Sequence, residues 1–226
     1  MRKFIVRITK ILRVYHLLKR LNLIIQSKFG MGHGHNLFLF LINKKNKKNK
    51  KNFKYFLEIG STREAIYGQG STEIIAKYCE EKKINFISVD ADSRNTNRLR
   101  KKLNEYKYFD SINDKGENFA NNTNLKFDCI YLDAFDIEKL TKNNFREKFY
   151  MKKYKSNITN EMSENIHLEI VKNLSNKIND HSIIVFDDTF KKNNLFIGKG
   201  GKAIPYLIKI GFKVIASNSN SVALER

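Results

Sequence analysis

Tryptophan is absent from the 226 residues, proline occurs once and cysteine occurs twice. Cys79 and Cys129 lie in apolar surroundings and lack the close spacing of metal ligands, which excludes a disulfide framework. This cysteine usage predicts buried thiols in a reducing, cytoplasmic compartment. With 41% hydrophobic residues the chain can bury a full core, so one domain plus an extension is expected.

Long apolar runs are also missing. In the first thirty residues the longest apolar stretches are VYHLL and LNLIIQS. A membrane span needs roughly 20 apolar residues and a signal-peptide core roughly 7 to 15. Neither is therefore expected in this segment.

Acidic residues are missing from residues 1–54, which contain 15 of the 43 lysines and arginines but none of the 23 acids. Within 1–29 the pattern predicts a basic amphipathic helix. Such a helix can lie on an anionic membrane surface, as in a peripheral membrane protein. It can equally pack on its own domain or on a second subunit of a homo-oligomer, and it also resembles an organelle presequence. The apolar side consists of Phe4, Ile5, Ile8, Ile11, Leu12, Tyr15 and Leu18, and the basic side of Arg2, Lys3, Arg7, Lys10, Arg13 and Arg20.

A glycine-rich break and a lysine–asparagine tract follow this helix. His33 and His35 could bind a metal, but no cysteine or carboxylate stands near them in sequence, which favours an exposed or phosphate-contacting loop. The tract NKKNKKNKKN, residues 43–52, has no apolar periodicity and predicts a flexible linker. We therefore divide the chain into a basic extension, 1–52, and a folded domain, 53–226.

From Phe53 onwards, strand-like and helix-like segments alternate. Repeated β–α units predict an α/β fold in which helices cover both faces of a doubly wound, mostly parallel sheet. The closing segments FKVIAS and SVALER are joined by a short Asn/Ser turn. This turn predicts an antiparallel C-terminal hairpin at the sheet edge.

The segment FKYFLEIGSTREAIYGQGST, residues 53–72, has the layout of a nucleotide-type cofactor pocket. A strand runs into an acid and a glycine, and a second small-residue cluster precedes a helix. The glycine lets the backbone approach a ligand, while the helix start offers unpaired N–H groups. Asp90 closes the second strand at a spacing that suits a carboxylate bound to ribose hydroxyls.

These features resemble the class I S-adenosylmethionine-dependent methyltransferases over about residues 53–226. The resemblance implies a Rossmann-like sheet of seven strands and S-adenosylmethionine as cofactor. For Asp92, the substitute for Asp90, a helix cap is the other interpretation. The implied cofactor residues are Glu58, Gly60 and Ser61 at the methionine part, Gly70, Ser71 and Thr72 at its carboxylate, Asp90 or Asp92 at the ribose, and Gly116 and Glu117 at the adenine.

The sequence departs from the usual glycine loop of this family. Gly60 and Gly68 are separated by STREAIY, an inserted stretch that would fold over the cofactor. A nicotinamide cofactor is less consistent, because Glu73 stands where the third glycine of a dinucleotide fingerprint beginning at Gly68 should be.

Candidate catalytic acids follow two later strands. Asp133, Asp187 and Asp188 are expected on the same carboxyl edge, where three carboxylates repel unless a cation or protons intervene. Oxygen ligands favour Mg²⁺ or another divalent cation. The pattern resembles the metal-assisted, small-molecule O-methyltransferases of the catechol type and their cephalosporin-hydroxylase-like relatives, in which acids at these two strand ends hold a divalent ion. A metal-free site with Asp133 or Asp187 as general base is the alternative. His167 is a further candidate base, and the alternative interpretation is a packed or surface histidine without a catalytic role.

The sequence therefore predicts a methyltransferase that modifies an oxygen of a small-molecule or glycan-like acceptor. An RNA methyltransferase that uses the basic extension as an electrostatic arm is a second hypothesis. A non-catalytic scaffold held at a membrane surface is a third.

Overall fold

The computed structural model describes residues 33–49, 53–63, 70–138 and 144–226. The amphipathic helix predicted within 1–29 and most of the inserted stretch between Gly60 and Gly68 lie outside these residues. In the described part of the chain, no helix is both long enough and apolar enough to cross a membrane. The strands are β1 (Tyr55–Ile59), β2 (Asn85–Asp90), β3 (Phe109–Asn113), β4 (Phe127–Leu132), β5 (Ile178–Phe186), β6 (Thr189–Lys192), β7 (Leu195–Gly198), β8 (Lys213–Ser217) and β9 (Val222–Glu225), and the helices are α1 (Gly34–Asn49), α2 (Ser71–Lys82), α3 (Ser93–Lys102), α4 (Gly116–Asn122), α5 (Asn144–Tyr154), α6 (Asn160–Leu174) and α7 (Ala203–Lys209).

Seven strands form one sheet in the order β3-β2-β1-β4-β5-β9-β8. Strands β1 to β5 pair with one another in parallel, and β9 is antiparallel to both β5 and β8. The reversal of strand order between β1 and β4 creates the crevice where α/β sheets bind ligands. The predicted α/β fold, with its mostly parallel sheet and antiparallel C-terminal hairpin, is confirmed.

Helices cover both faces of this sheet, because the central strands are apolar on both sides. In β1, Leu57 and Ile59 point into the core under α4, α6 and α7, while Phe56 points into the core under α1, α2 and α3. All six residues of β4 are buried. A strand buried on both faces is mostly apolar, and in β4 the one charged residue, Asp128, accepts hydrogen bonds from the amides of Lys54 and Tyr55.

Helix α1 corrects the linker prediction. Its first half carries Leu37, Phe38, Leu41 and Ile42, whose spacing places them on one face, and all four are buried against the sheet. The helix continues through Asn49, so the flexible linker predicted for 43–52 is wrong for its first seven residues. The lysine–asparagine repeat carries no apolar pattern that would predict a helix, because the residues that pack on the sheet all lie in the turns before it.

A second small sheet was not predicted. Strands β6 and β7 pair antiparallel between β5 and α7, with Asn193 and Asn194 at positive φ in the two-residue turn. Asparagine tolerates this left-handed conformation better than most residues. The sequence suggested one strand that continued to Phe190, whereas β5 ends at Phe186.

Packing of α1 on the sheet can be tested with a matched pair of variants. Phe38 is fully buried and its ring contacts those of Phe56 and Tyr131, whereas Phe40 is 46% exposed on the same helix. We expect Phe38→Ala to lower the free energy of unfolding by about 3 to 5 kcal/mol, because a large cavity is left. Phe40→Ala should change it by less than about 0.5 kcal/mol. Urea denaturation measures both, and equal effects would show that α1 does not pack as described.

Candidate functional site

A cleft of about 880 Å³ opens at the carboxyl edge of the sheet. Gly60, Asp90, Asp133 and Asp187 follow or end strands β1, β2, β4 and β5, and all four line this cleft. The parallel strands bring their carboxyl ends to one edge, which explains the convergence. Two predicted cofactor residues and two predicted catalytic acids therefore share a single cavity.

Gly60 occupies a position that only glycine fits. Its φ is +98°, and a Cβ atom there would come within 2.3 Å of the Asp133 carbonyl oxygen. The Gly60 amide donates to the carbonyl of Val89 at 2.8 Å. This glycine lets the turn after β1 pass directly over the end of β4, which closes the floor of the cleft.

Glu58 lies beneath this turn rather than in the cleft. Its carboxylate is fully buried and accepts hydrogen bonds from the hydroxyls of Ser71 and Thr72, each at 2.7 Å, and of Ser88 at 2.5 Å. These three hydroxyls belong to α2 and β2, so Glu58 joins β1 to both. Burial raises the pKa of Glu58 to about 8, although the three hydrogen bonds oppose the rise.

The start of α2 is only partly available to a ligand. Ser71 lines the cleft, whereas Gly70 and Thr72 do not. The amide of Thr72 donates to the hydroxyl of Thr62 at 3.0 Å, and the Thr62 amide donates to the hydroxyl of Thr72 at 2.8 Å. Of the three residues predicted at the cofactor carboxylate, Ser71 is the one that the structure brings to the cavity.

Asp90 is held in place by three donors. The amides of Ser61 and Asp92 donate to it at 3.0 and 2.7 Å, and the side chain of Asn95 donates at 3.2 Å. Burial raises the pKa of Asp90, and these donors oppose that rise. Each carboxylate oxygen has two lone pairs, so Asp90 retains acceptor capacity toward the cleft.

Asp92 caps α3, as the alternative interpretation had it. Its carboxylate accepts from the Arg94 amide at 3.0 Å and forms an ion pair with the Arg94 guanidinium. The hydrogen bond from Arg94 lowers the pKa of Asp92. Asp92 also lines the cleft, but its oxygens are largely occupied by these partners.

The structure places one of the two residues predicted near the adenine in the cleft and the other outside it. Gly116 lines the cleft, and a Cβ atom there would meet the Ile59 side chain at 2.3 Å. Glu117 is not among the lining residues, and burial raises its pKa.

A buried lysine joins two of the predicted catalytic acids. The ammonium of Lys199, which is 1% exposed, forms ion pairs with Asp133 and with Asp188, the latter at 2.8 Å. Burial raises the pKa of Asp188, but the charge and hydrogen bond of Lys199 outweigh burial and the net shift is downward. We call these three residues the carboxylate–lysine cluster. Sequence reasoning missed Lys199, whose only signal was a lysine between glycines after an acidic strand end.

Asp187 lies beside this cluster and has different partners. The hydroxyl of Tyr131 donates to its Oδ2, and the amides of Gly34 and Asp188 donate to its Oδ1 at 3.2 and 3.0 Å. Burial and the charges of Asp133 and Asp188 raise the pKa of Asp187 to about 7. A carboxylate that titrates near neutral pH is suited to accept and release a proton.

The structure does not support the predicted metal site formed by Asp133, Asp187 and Asp188. Among the residues that the structure describes, no three His, Cys, Asp or Glu side chains are placed to share a metal ion. The physical reason is Lys199, whose ammonium supplies the positive charge that three neighbouring carboxylates require.

His167 also lies away from the cleft. It is fully buried in α6, its Nδ1 lies 2.7 Å from the Ser163 carbonyl oxygen, and its ring faces Phe186 at 6.4 Å. Burial lowers the pKa of His167 to about 3. These contacts are those of a packed histidine, and they do not support a catalytic base.

His33 and His35 line the cleft, and His35 is buried in α1, whereas the sequence predicted an exposed or phosphate-contacting loop. They stand at the start of α1, where the amide of Gly34 contacts Asp187. Their histidine–glycine–histidine spacing was visible in the sequence, but nothing local indicated that α1 would bring them to the ends of β4 and β5.

A scan against protein-family models and a search of curated proteins find no match. The fold is similar to solved methyltransferases. The ribosomal protein L11 methylase of Lactobacillus delbrueckii subsp. bulgaricus is 13% identical, with a TM-score of 0.50 over 85% of this chain and 78% of that one. The SAH-bound methyltransferase PaMTH1 of Podospora anserina is 12% identical, with a TM-score of 0.51 over 84% and 76%. The N-methyltransferase NodS of Bradyrhizobium japonicum WM9 in complex with S-adenosyl-l-homocysteine is 12% identical, with a TM-score of 0.50 over 85% and 87%. The chain has the fold of these methyltransferases.

The buried Glu58 predicts a defined pH dependence of stability. Because its folded pKa lies above the usual value, the folded state favours the protonated form, and this stabilisation is lost as pH rises from about 5 to about 8. Relative to Glu58→Gln, the wild-type chain should lose about 1 kcal/mol per pH unit across this window. Urea denaturation between pH 5 and 8 measures the difference. The exposed Glu105→Gln control should follow the wild type, and a pH-independent gap between wild type and Glu58→Gln would contradict the assignment.

Proposed function

We propose that the protein is an S-adenosylmethionine-dependent methyltransferase that acts on an oxygen of a small-molecule or glycan-like acceptor. The observation that carries the proposal is that Gly60 and Asp90 line one cleft at the switch point of a methyltransferase-type sheet. Two neighbours of this fold, PaMTH1 and NodS, are described as bound to S-adenosylhomocysteine, the product form of the cofactor.

The residues present fit the cofactor. A volume of about 880 Å³ falls in the range of small-molecule sites and leaves room for an acceptor. Asp90 offers a fixed carboxylate to ribose hydroxyls, Ser71 offers a hydroxyl near the start of α2, and Gly116 leaves space where a side chain would project. When bound, S-adenosylmethionine supplies an electrophilic methyl group.

The charge of the cleft favours a neutral or cationic acceptor. Six aspartates line it, against three arginines, Arg63, Arg94 and Arg146. Arg63 and Arg146 pair with Asp136, and Arg94 pairs with Asp92, so none of the three is left to bind a phosphate alone. Although the chain has a formal net charge of +20, an RNA phosphate entering here would meet carboxylates. The RNA hypothesis therefore has no support from this cavity.

We assign Asp187 the role of general base. Its carboxylate is oriented by Tyr131 and Gly34, and its raised pKa of about 7 matches the working pH of a cytoplasmic enzyme. Asp133 and Asp188 are held by Lys199, which fixes their positions and leaves Asp187 to exchange the proton of an acceptor hydroxyl. No divalent cation is needed for this division of roles.

We also propose, from the sequence pattern, that residues 1–29 act as a basic segment that binds an anionic membrane surface. Self-association through the same segment is the alternative.

Cofactor binding can be tested through Asp90. We expect Asp90→Asn to weaken binding of S-adenosylmethionine by roughly ten- to a hundredfold, because an amide replaces one charged acceptor for the ribose hydroxyls. Isothermal titration measures the affinity, and the exposed Asp110→Asn on β3 serves as the matched control. Absence of binding heat with the wild-type chain would refute the proposed function.

The proposed role of Asp187 predicts the pH at which its carboxyl group titrates and the pH dependence of methyl transfer. Carbon-13 spectroscopy of aspartate carboxyl groups should show one that titrates near pH 7 and disappears in Asp187→Asn. Methyl transfer to a hydroxyl acceptor should rise as pH increases through about 7, since the base acts when ionised, and should fall by roughly 10²- to 10⁴-fold in Asp187→Asn. Asp180→Asn, 87% exposed on the same strand, should leave both unchanged. An unaltered rate in Asp187→Asn would exclude it as the base.

A further inference from the structure

The cleft contains one buried side chain whose polar atoms have no partner. His35 is 1% exposed, and neither of its ring nitrogens has a hydrogen-bond partner among the described residues. It nevertheless lines the cleft. A buried polar atom without a partner costs roughly 1 to 3 kcal/mol, so such an atom at the wall of a cavity points to a ligand that satisfies it.

The position of His35 assigns it to one half of the cleft. The preceding residue, Gly34, donates its amide to Asp187 at 3.2 Å. A Cβ atom on Gly34 would lie 2.8 Å from the Asp187 carboxylate oxygen and 3.1 Å from the Tyr131 ring, so glycine allows this close approach. The start of α1 is therefore fixed at the end of β5. In the strand order, β1 and β4 separate β5 from β2, the strand that ends in Asp90.

His33 stacks on His35. The two rings are stacked, with centroids 5.5 Å apart and an angle of 7° between their planes. Both residues line the cleft, and His35 is the more deeply buried of the two. Burial, with a smaller contribution from His33, lowers the pKa of His35 to about 4, which keeps that ring neutral at physiological pH.

A neutral imidazole offers one donor and one acceptor. A hydroxyl group offers the same pair, whereas a carboxylate or phosphate offers acceptors alone and would face the aspartates that line the cavity. We propose that His33 and His35 form the acceptor subsite, in which His35 binds a hydroxyl of an uncharged, hydroxylated acceptor within reach of Asp187. This inference rests on the proposed function, which it deepens by naming the acceptor class and two residues that select it.

The test uses the full chain, labelled with nitrogen-15 histidine and saturated with S-adenosylhomocysteine. Catechol and methyl α-glucopyranoside serve as neutral hydroxylated probes, and glucuronate serves as the anionic one. The signals of His35 are identified by their loss in His35→Phe. We expect a neutral probe to shift the His35 ring nitrogens and glucuronate to leave them unmoved.

Two variants separate binding from folding. His35→Phe retains a ring but removes both nitrogens, and we expect it to bind the neutral probes at least tenfold more weakly with unchanged affinity for S-adenosylhomocysteine. His35→Gln restores a donor and an acceptor and should recover part of that loss. His181→Asn, which alters a histidine that is 72% exposed and outside the cleft, should bind as the wild type does.

The outcomes distinguish the subsite from the enzyme assignment. If no probe moves the His35 signals, if glucuronate moves them as much as the neutral probes do, or if His35→Phe binds the probes like the wild type, the subsite is refuted. The proposed function survives each of these results as long as S-adenosylhomocysteine binds. If a neutral probe shifts His35 but S-adenosylhomocysteine gives no binding heat, the subsite stands and the cofactor assignment fails.

Discussion

The buried ammonium of Lys199 is the interaction on which the arrangement of the cleft depends. A parallel sheet gathers the residues that follow its strands at one edge, and in this chain those that follow β4 and β5 are carboxylates. Three of them near one another would repel strongly in a medium of low dielectric constant. Lys199 forms direct ion pairs with Asp133 and Asp188, while burial and the charges of these two acids raise the pKa of Asp187 to about 7 against the opposing charge of Lys199. Lys199 thus stabilises the rim, while burial is the main cause of the raised pKa of the candidate base.

Glu58 is the buried acid under the β1 half of the cleft. It has no cationic partner among the described residues, and its oxygens accept hydrogen bonds from three hydroxyls. The two halves of the cleft therefore accommodate their buried carboxylates in different ways. Under β1 the charge is avoided, because burial favours the protonated form. Above β4 and β5 the charge is kept and compensated, since Lys199 holds the pKa of Asp188 below its usual value. This difference is consistent with the proposed site, in which one half binds a ligand and the other half exchanges a proton.

The sequence predicted the sheet and the two central members of the cleft because their signals are local. Apolar runs that end in Gly60 and in Asp90 give both the strand and its functional end within a few residues. Lys199 could not be found in this way, since its partners lie 66 and 11 positions away and only the β6–β7 hairpin brings it to them. The predicted metal site lacks support for the same reason. The prediction identified correctly that the acids need a cation but had no means of finding an ammonium group.

Helix α1 links the core to the site, and this connection constrains how the basic N-terminal segment can be studied. Phe38 packs against the ring of Tyr131 at 5.7 Å, and the hydroxyl of Tyr131 donates to Asp187. The start of the same helix donates to Asp187 through Gly34. Removing residues 1–52 would therefore remove part of the core and two supports of the candidate base, along with the basic residues. A loss of function after such a truncation would say nothing about membrane or RNA binding. Charge reversal confined to residues 1–29 leaves α1 intact and is the change that isolates the electrostatic role.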